Sequence, residues 1–273
     1  MGLLTTRAIV LAGGQGRRMR QRDDGAVLSE EQRRAADSGV KSLLPMGGRP
    51  FLDYVLWSLA DAGVTEVGLV VAPDHEGLHQ YYRVASPPER VRLDFVVQQQ
   101  PRGTADAVLA AEAWTSRHPF LVMNADNLYP TAVLRRLSAL DEPGLPVFTR
   151  RNLVRTSNIS EERVRSFALV TIDGAGYLSG IVEKPAAERF TEAGEHAGVS
   201  MNCWRFDERI FSFCRAVPIS SRGEFELPEA VGHALAAGVK FKTVPARGPV
   251  LDLSTRADAS EVERRLSGVT PTP

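Results

Sequence analysis

Through its first half the chain alternates short apolar runs with longer stretches of helical spacing, and this alternation restricts the fold more than any other feature. Residues 8–12 (AIVLA) form a short apolar run closed by glycines, the form a strand takes when both faces are buried in a parallel sheet. Pro50 then fits the start of a helix, with Phe51, Leu52, Val55, Leu56 and Leu59 on one face and Gly63 as its stop. Residues 67–72 and 93–98 read as further strands, 104–114 as an alanine-rich helix and 120–123 as a fourth strand. Strand and helix in this order imply an α/β fold: a doubly wound, mostly parallel, Rossmann-like sheet with right-handed crossovers. Ligands of such sheets sit beyond the carboxyl ends of the strands, so the residues just after each strand are where chemistry is expected.

After Leu145 the texture changes. Residues 166–173 and 177–184 alternate around Gly174 and Gly176 as a hairpin would. Residues 199–206 read as one more strand, and Leu227, Ala230, Val231, Ala234 and Leu235 follow helical spacing. This implies a mixed-sheet continuation that builds a second wall of one cleft. Residues 1–273 therefore read as a single domain, divided into halves 1–145 and 146–260. The 33 Lys and Arg balance 33 Asp and Glu, which argues against a general nucleic-acid or membrane-surface partner. Two cysteines, Cys203 and Cys214, form no metal or disulfide pattern. No apolar run reaches the roughly 18 residues of a membrane span, and no secretory signal is evident at the N-terminus. The expected compartment is the cytoplasm, and a homo-oligomer stays open.

The strongest motif is Leu11-Ala12-Gly13-Gly14-Gln15-Gly16-Arg17-Arg18-Met19, directly after the first strand. Its glycines let the backbone turn tightly and bring N–H groups against an anion or a flat base. It lacks the third glycine of a dinucleotide fingerprint and the Gly-Lys-Ser/Thr of a P-loop. Arginines in the loop instead suggest a nucleotide whose phosphates are gripped by side chains. Lys41 opens a second segment, Lys-Ser-Leu-Leu-Pro-Met-Gly-Gly-Arg-Pro.

Together these segments resemble the sugar-1-phosphate nucleotidyltransferases (NDP-sugar pyrophosphorylases), whose patterns are L-A-G-G-x-G-T-R-L and P-K-x-L-L-P-x-G-G-x-P. Gly13, Gly14, Gly16, Arg18, Lys41, Pro45, Gly47, Gly48 and Pro50 fit position by position. The likeness continues with Gln98 to Ala105 (Q-x-x-P-x-G-T-A), Asp126-Asn127, Glu183-Lys184-Pro185 and Asp252 to Thr255 (D-x-x-T), in the family's order. It implies a nucleotide-binding half at 1–145 and a sugar-phosphate-binding half at 146–260, with a nucleoside triphosphate and a sugar or cyclitol 1-phosphate as partners and Mg²⁺ as cofactor. By this resemblance Leu11, Ala12, Gly13, Gly14, Gly16, Arg17, Gln98, Gly103 and Thr104 hold the nucleotide, with Gln98 reading the base edge. Arg18, Lys41 and Asp126 are the catalytic set, and Asp126 with Asp252 holds the metal. Glu183, Lys184, Asn202 and Trp204 form the sugar-phosphate side.

The departures are specific. Arg17 stands where the family has threonine, Ser42 where it has proline, and Ala125 where glycine is commoner. The 19–40 stretch is longer than usual and sets Arg20, Arg22, Arg33 and Arg34 against Asp23, Asp24, Glu30 and Glu31. It reads as a mobile charged lid over the triphosphate, or as a solvated insertion without function. His75-Glu76-Gly77-Leu78-His79 spells H-E-x-x-H, but with Gly77 inside and no third ligand signposted it reads as a surface helix start rather than a zinc site. Two alternatives to the sugar reaction stay open: a transferase for phosphocholine or molybdopterin, and a catalytically silent nucleotide-binding subunit. The base and the acceptor are not legible.

Overall fold

A computed structural model describes residues 5–14, 16–21, 23 and 25–273; Gln15 of the glycine loop and Arg22 and Asp24 of the charged stretch lie outside them. The main sheet of the described residues has ten strands, with two short two-stranded pairs beside it (Asn127–Leu128 with Leu251–Asp252, and Pro45–Met46 with Arg49–Pro50): β1 (Arg7–Leu11), β2 (Glu66–Val71), β3 (Arg92–Val97), β4 (Phe120–Asn124), β5 (Gly144–Thr149), β6 (Ala168–Ile172), β7 (Leu178–Val182), β8 (Gly198–Ser200), β9 (Trp204–Phe206) and β10 (Lys242–Pro245). Their order is β7-β6-β8-β5-β9-β4-β1-β2-β3, with β10 also on β5. β1 lies at the centre of a parallel set, flanked by β2 and β4, with β3 beyond β2. From β9 onward the pairing is largely antiparallel, the mixed continuation that the alternation of residues 166–184 implies.

Both faces of the sheet are covered, which explains the unbroken apolar run of β1. Ala8 and Val10 face the layer containing helices Phe51–Asp61, Thr131–Ser138 and Arg256–Leu266. Ile9 faces the opposite layer, with helices Thr104–Ala110, Ile210–Ala216 and Leu227–Ala236. No helix among the described residues is long and apolar enough to cross a membrane.

Two expected elements are divided. The 104–114 helix breaks at Ala111; the break lays the Trp114 ring over Gly68, where a Cβ would approach that ring to 2.9 Å. The 199–206 strand is two strands, β8 and β9, because Asn202 takes a left-handed backbone (φ 61°) between them. The described residues of the 19–40 stretch are in part packed against the body of the protein. Met19 and Ala36 are fully buried, helix Glu30–Ser38 is closed by a capping box, and Gln32 Nε2 donates to the Pro45 carbonyl at 2.9 Å. These positions anchor helix Glu30–Ser38 beneath its charged face.

Candidate active site

The ends of the central strands converge. The ladder runs one residue past each of them: Ala12 N–H donates to Val70 O (2.8 Å), Ala125 N–H to Leu11 O (3.0 Å) and Gln98 N–H to Val71 O (2.8 Å). These bonds fix the glycine loop, the Asn124–Asn127 turn and Gln98 at one edge, around a cleft of about 400 Å³. Arg17, Arg18, Lys41, Gln98, Thr104 and Asp126 line it, with the loop glycines as its floor. Gly16 is required twice over. Its φ is +59°, and a Cβ there would lie 2.1 Å from the Gly39 carbonyl oxygen.

Gln98 is buried, and its amide nitrogen donates to Asp106 Oδ2 (2.8 Å) and Gly103 O (3.2 Å). Arg102 in turn holds Asp106 at 2.6 Å. The Gln98 carbonyl oxygen therefore turns toward Gly13, where a Cβ would come within 3.2 Å of it. The amide is locked in one orientation by a partner the sequence pattern did not signal.

Lys41 Nζ and Asp126 Oδ2 form an ion pair at 3.0 Å, half-open to the cleft. Asp252, in the short strand Leu251–Asp252, pairs by backbone with Asn127, and Leu253 N–H donates to Asp126 O at 2.9 Å, so the turn that carries Asp126 lies beside the strand that carries Asp252. The Asp252 carboxylate is buried, accepting from Arg163 and from Ser254 Oγ (2.7 Å). Burial pushes its pKa up to about 6; Arg163 opposes this and the charge of Asp126 adds to it. Asp252 is absent from the wall of either cavity. Thr255, not Asp252, caps the last helix.

A second cavity of about 430 Å³ adjoins the first, and Arg18, Thr104, Asn124 and Glu224 line both. Glu183, Lys184 and Asn202 face this second space. Burial, reinforced by Glu226 and opposed by Arg222, pushes the Glu183 pKa up to about 7. Trp204 does not reach the cavity, which corrects the expectation of a sugar-binding wall. β9 pairs Trp204 with Val122, so strand alternation turns the ring into the core, stacked on Phe206 and edge-on to Phe241. It acts at one remove. Its Nε1–H donates to Asn202 Oδ1 (2.9 Å), Asn202 Nδ2 to Asn124 Oδ1 (3.0 Å), and Asn124 Nδ2 to Asn127 Oδ1 (3.2 Å).

Several site residues had no sequence signal. Arg222 lines the second cavity, donates to Glu226 Oε1 at 2.9 Å and lies 3.9 Å from Glu183. Ser200 lines it too, and its buried Oγ has no hydrogen-bond partner among the described residues. Arg163 comes from a short helix nearly ninety residues before Asp252 in sequence, a separation no local motif can encode. The two histidines of the H-E-x-x-H segment each rest against a neighbour in the fold. His75 Nδ1 lies 3.0 Å from the Ala72 carbonyl and His79 stacks on Phe95. No three-residue His/Cys/Asp/Glu metal group occurs among the described residues.

The sequence profile of the family described as nucleotidyl transferase matches residues 7–249. The chain belongs to this family. A glucose-1-phosphate thymidylyltransferase of Actinoplanes sp. is 29% identical over 92% of this chain and 75% of its own length. One of Streptomyces antibioticus is 27% identical over 95% of this chain, which spans 66% of that relative. Among solved structures, a UDP-glucose pyrophosphorylase complexed with UDP-glucose has the same fold, with a TM-score of 0.75 at 17% identity over 96% of this chain and 99% of that one. As a nucleotidyl transferase, the chain carries its glycine loop, Lys41 and Asp126 within the matched region.

Proposed function

We propose that this enzyme transfers a nucleotidyl group from a nucleoside triphosphate to a sugar or cyclitol 1-phosphate, giving an NDP-sugar and pyrophosphate. The observation that carries the reading is the pair of adjoining cavities that share Arg18, Thr104, Asn124 and Glu224. A transfer between two substrates needs such a shared wall, because holding both reactants together supplies much of the rate. The relatives' names point the same way.

In the reaction, a phosphate oxygen of the acceptor bonds to the α-phosphorus. The bond from that phosphorus to the oxygen bridging to the β-phosphate breaks, and that oxygen leaves with pyrophosphate. The acceptor oxygen is already anionic near neutrality, so no general base is required. Arg18, with Arg17 beside it in the first cavity, takes the pyrophosphate end. Lys41 neutralises charge developing at the α-phosphate, and the loop N–H groups cradle the nucleotide. With its nitrogen fixed by Asp106, Gln98 offers the base a carbonyl acceptor. On the acceptor side Lys184 and Arg222 are the cations available for the phosphate. Glu183, Asn202 and the orphaned Ser200 hydroxyl suit a polyhydroxylated acceptor.

Mg²⁺ fits the donor set. Asp126 and Asp252 offer hard carboxylate oxygens from a turn and the strand beside it, and the charge of Asp126 already raises the pKa of Asp252, a repulsion that a divalent cation relieves. Asp126, and Asp252 once released from Arg163, would hold the ion. It would supply Lewis-acid neutralisation of the phosphate oxygens. A nucleoside triphosphate substrate and two buried thiols, Cys203 and Cys214, suit the reducing cytoplasm.

The test is pyrophosphate release with Mg²⁺ from each common nucleoside triphosphate against sugar and cyclitol 1-phosphates. Metal-dependent release with one pair is expected, and it would also identify base and acceptor. Nucleotide binding without release across the whole panel would overturn the transferase reading.

A further inference from the structure

The turn that carries Arg17 and Arg18 is a four-residue helix, Arg17–Arg20. Such a turn is too short to hold itself, because nucleating one turn is unfavourable and its last carbonyls lack partners. The chain that leads to Lys41 returns through helix Glu30–Ser38 and Gly39. The cations of both pieces line the first cavity, so whatever joins the pieces sets the spacing between Arg17, Arg18 and Lys41. Arg20 contributes one exposed link, Nη2 to Ser38 O at 2.8 Å.

The buried link comes from far away in sequence. Arg256 opens the last helix, and its side chain is buried. Its Nε donates to Met19 O at 2.8 Å, and its Nη2 reaches Asp37 Oδ1 at 2.5 Å and, more weakly, Arg20 O at 3.4 Å. One planar guanidinium thus satisfies the terminal carbonyls of the arginine turn and binds a carboxylate at the end of the return helix, a fork geometry that a lysine cannot reproduce. Seven residues on, Glu263 accepts from Gln32 Nε2 (3.2 Å) and from Gly47 N–H (3.0 Å). The last helix therefore grips the 19–40 stretch at two points along one face.

We propose that Arg256 is a positioning residue for the nucleoside triphosphate: by joining Met19 O to Asp37 it fixes the arginine turn against the segment that carries Lys41. The proposal rests on the first cavity being the triphosphate site. Arg256 itself touches no cavity wall and acts through Arg17, Arg18 and Lys41.

The test compares wild type, Arg256→Met, Arg256→Lys and Asp37→Asn. Asp37 is 68% exposed, so the last substitution keeps the fold even if Arg256→Met does not. KM for each substrate, kcat and the calorimetric affinity for the nucleoside tri- and monophosphate are measured, with melting temperature alongside. Arg256→Met should raise the KM and the triphosphate Kd about tenfold or more, as expected of a small misplacement of the gripping groups. Acceptor KM and monophosphate affinity should stay within about twofold. Arg256→Lys and Asp37→Asn should fall between, and the Arg256→Met/Asp37→Asn pair should be non-additive. Unchanged triphosphate affinity in folded Arg256→Met or in Asp37→Asn would overturn the proposal, as would equal losses for triphosphate, monophosphate and acceptor. If wild type itself binds no triphosphate, the reading of the first cavity fails and the proposal falls with it.

Discussion

Glu183→Gln isolates the electrostatic cost of the second cavity. In the native protein Glu183 holds its proton up to about pH 7, whereas an ordinary glutamate releases it near 4.5. Between these values the native state binds more protons than the unfolded chain, so this group lowers stability as pH rises. At 1.36 kcal/mol per pH unit, the rise from 4.5 to about 7 costs roughly 3 kcal/mol, complete by about pH 8 and nearly absent at pH 4. Glutamine has the same shape and no charge, and Arg222 keeps its Glu226 partner in the variant. Urea unfolding of wild type and Glu183→Gln from pH 4 to 8 should therefore give curves that meet at the acid end. The variant should gain about 3 kcal/mol by pH 8. Taking the difference cancels titrating groups that do not interact with Glu183, such as Asp252. A difference that is flat with pH, or a variant less stable at pH 8, would refute the assignment of a costly buried charge to Glu183.

Three further outcomes follow from the geometry. Asp126→Asn should cut pyrophosphate release by about 10³-fold or more in a Mg²⁺ assay while the melting temperature stays close to wild type; near-normal turnover would remove Asp126 from the reaction. Gly16→Ala forces a left-handed residue against the Gly39 carbonyl; it should cost about 1–2 kcal/mol in backbone strain alone and weaken triphosphate binding, read by denaturation and calorimetry. Trp204→Phe keeps the ring packing but deletes the bond to Asn202; a stability loss of about 1 kcal/mol should accompany a raised acceptor KM, and an unchanged acceptor KM would break the chain from Trp204 to the cavity.

What could be read without the structure was the part encoded locally. The strand ends, the glycine loop, Lys41, Asp126 and Glu183-Lys184 each lie in a short pattern whose chemistry depends on neighbours within a few residues. What escaped was set by pairing across the sheet. The family resemblance puts Trp204 on the sugar-phosphate side, yet the left-handed backbone at Asn202 ends one strand and begins another, and the new register turns the indole inward. The charges of the 19–40 stretch suggest a lid or a solvated insertion, and neither pattern signals where the stretch is anchored. The anchors are a few buried positions, Met19, Gln32 and Ala36, and Arg256 more than two hundred residues away. Arg163 and Arg222 carried no signal because an isolated arginine looks like surface until its carboxylate is known.

The charge layout of the site has a consequence for how it takes up substrate. Lys41 rests on Asp126, Arg163 on Asp252, Arg222 on Glu226 and Arg102 on Asp106. Unpaired cations clustered in half-buried space would repel one another and carry a desolvation penalty; held on neighbouring acids, they keep their positions at low cost. A phosphate that draws Lys41 away replaces one anion with another, so little net charge is buried on the cationic side. The acids are left exposed by the same exchange. Asp126 freed from Lys41 is left with the neighbouring charge of Asp252, and that repulsion grows as the triphosphate binds. Nucleotide and divalent cation should therefore bind with mutual enhancement, each tightening the other by the same factor. Lys41→Met should weaken that enhancement, because Asp126 would then stand unpaired before the nucleotide arrives.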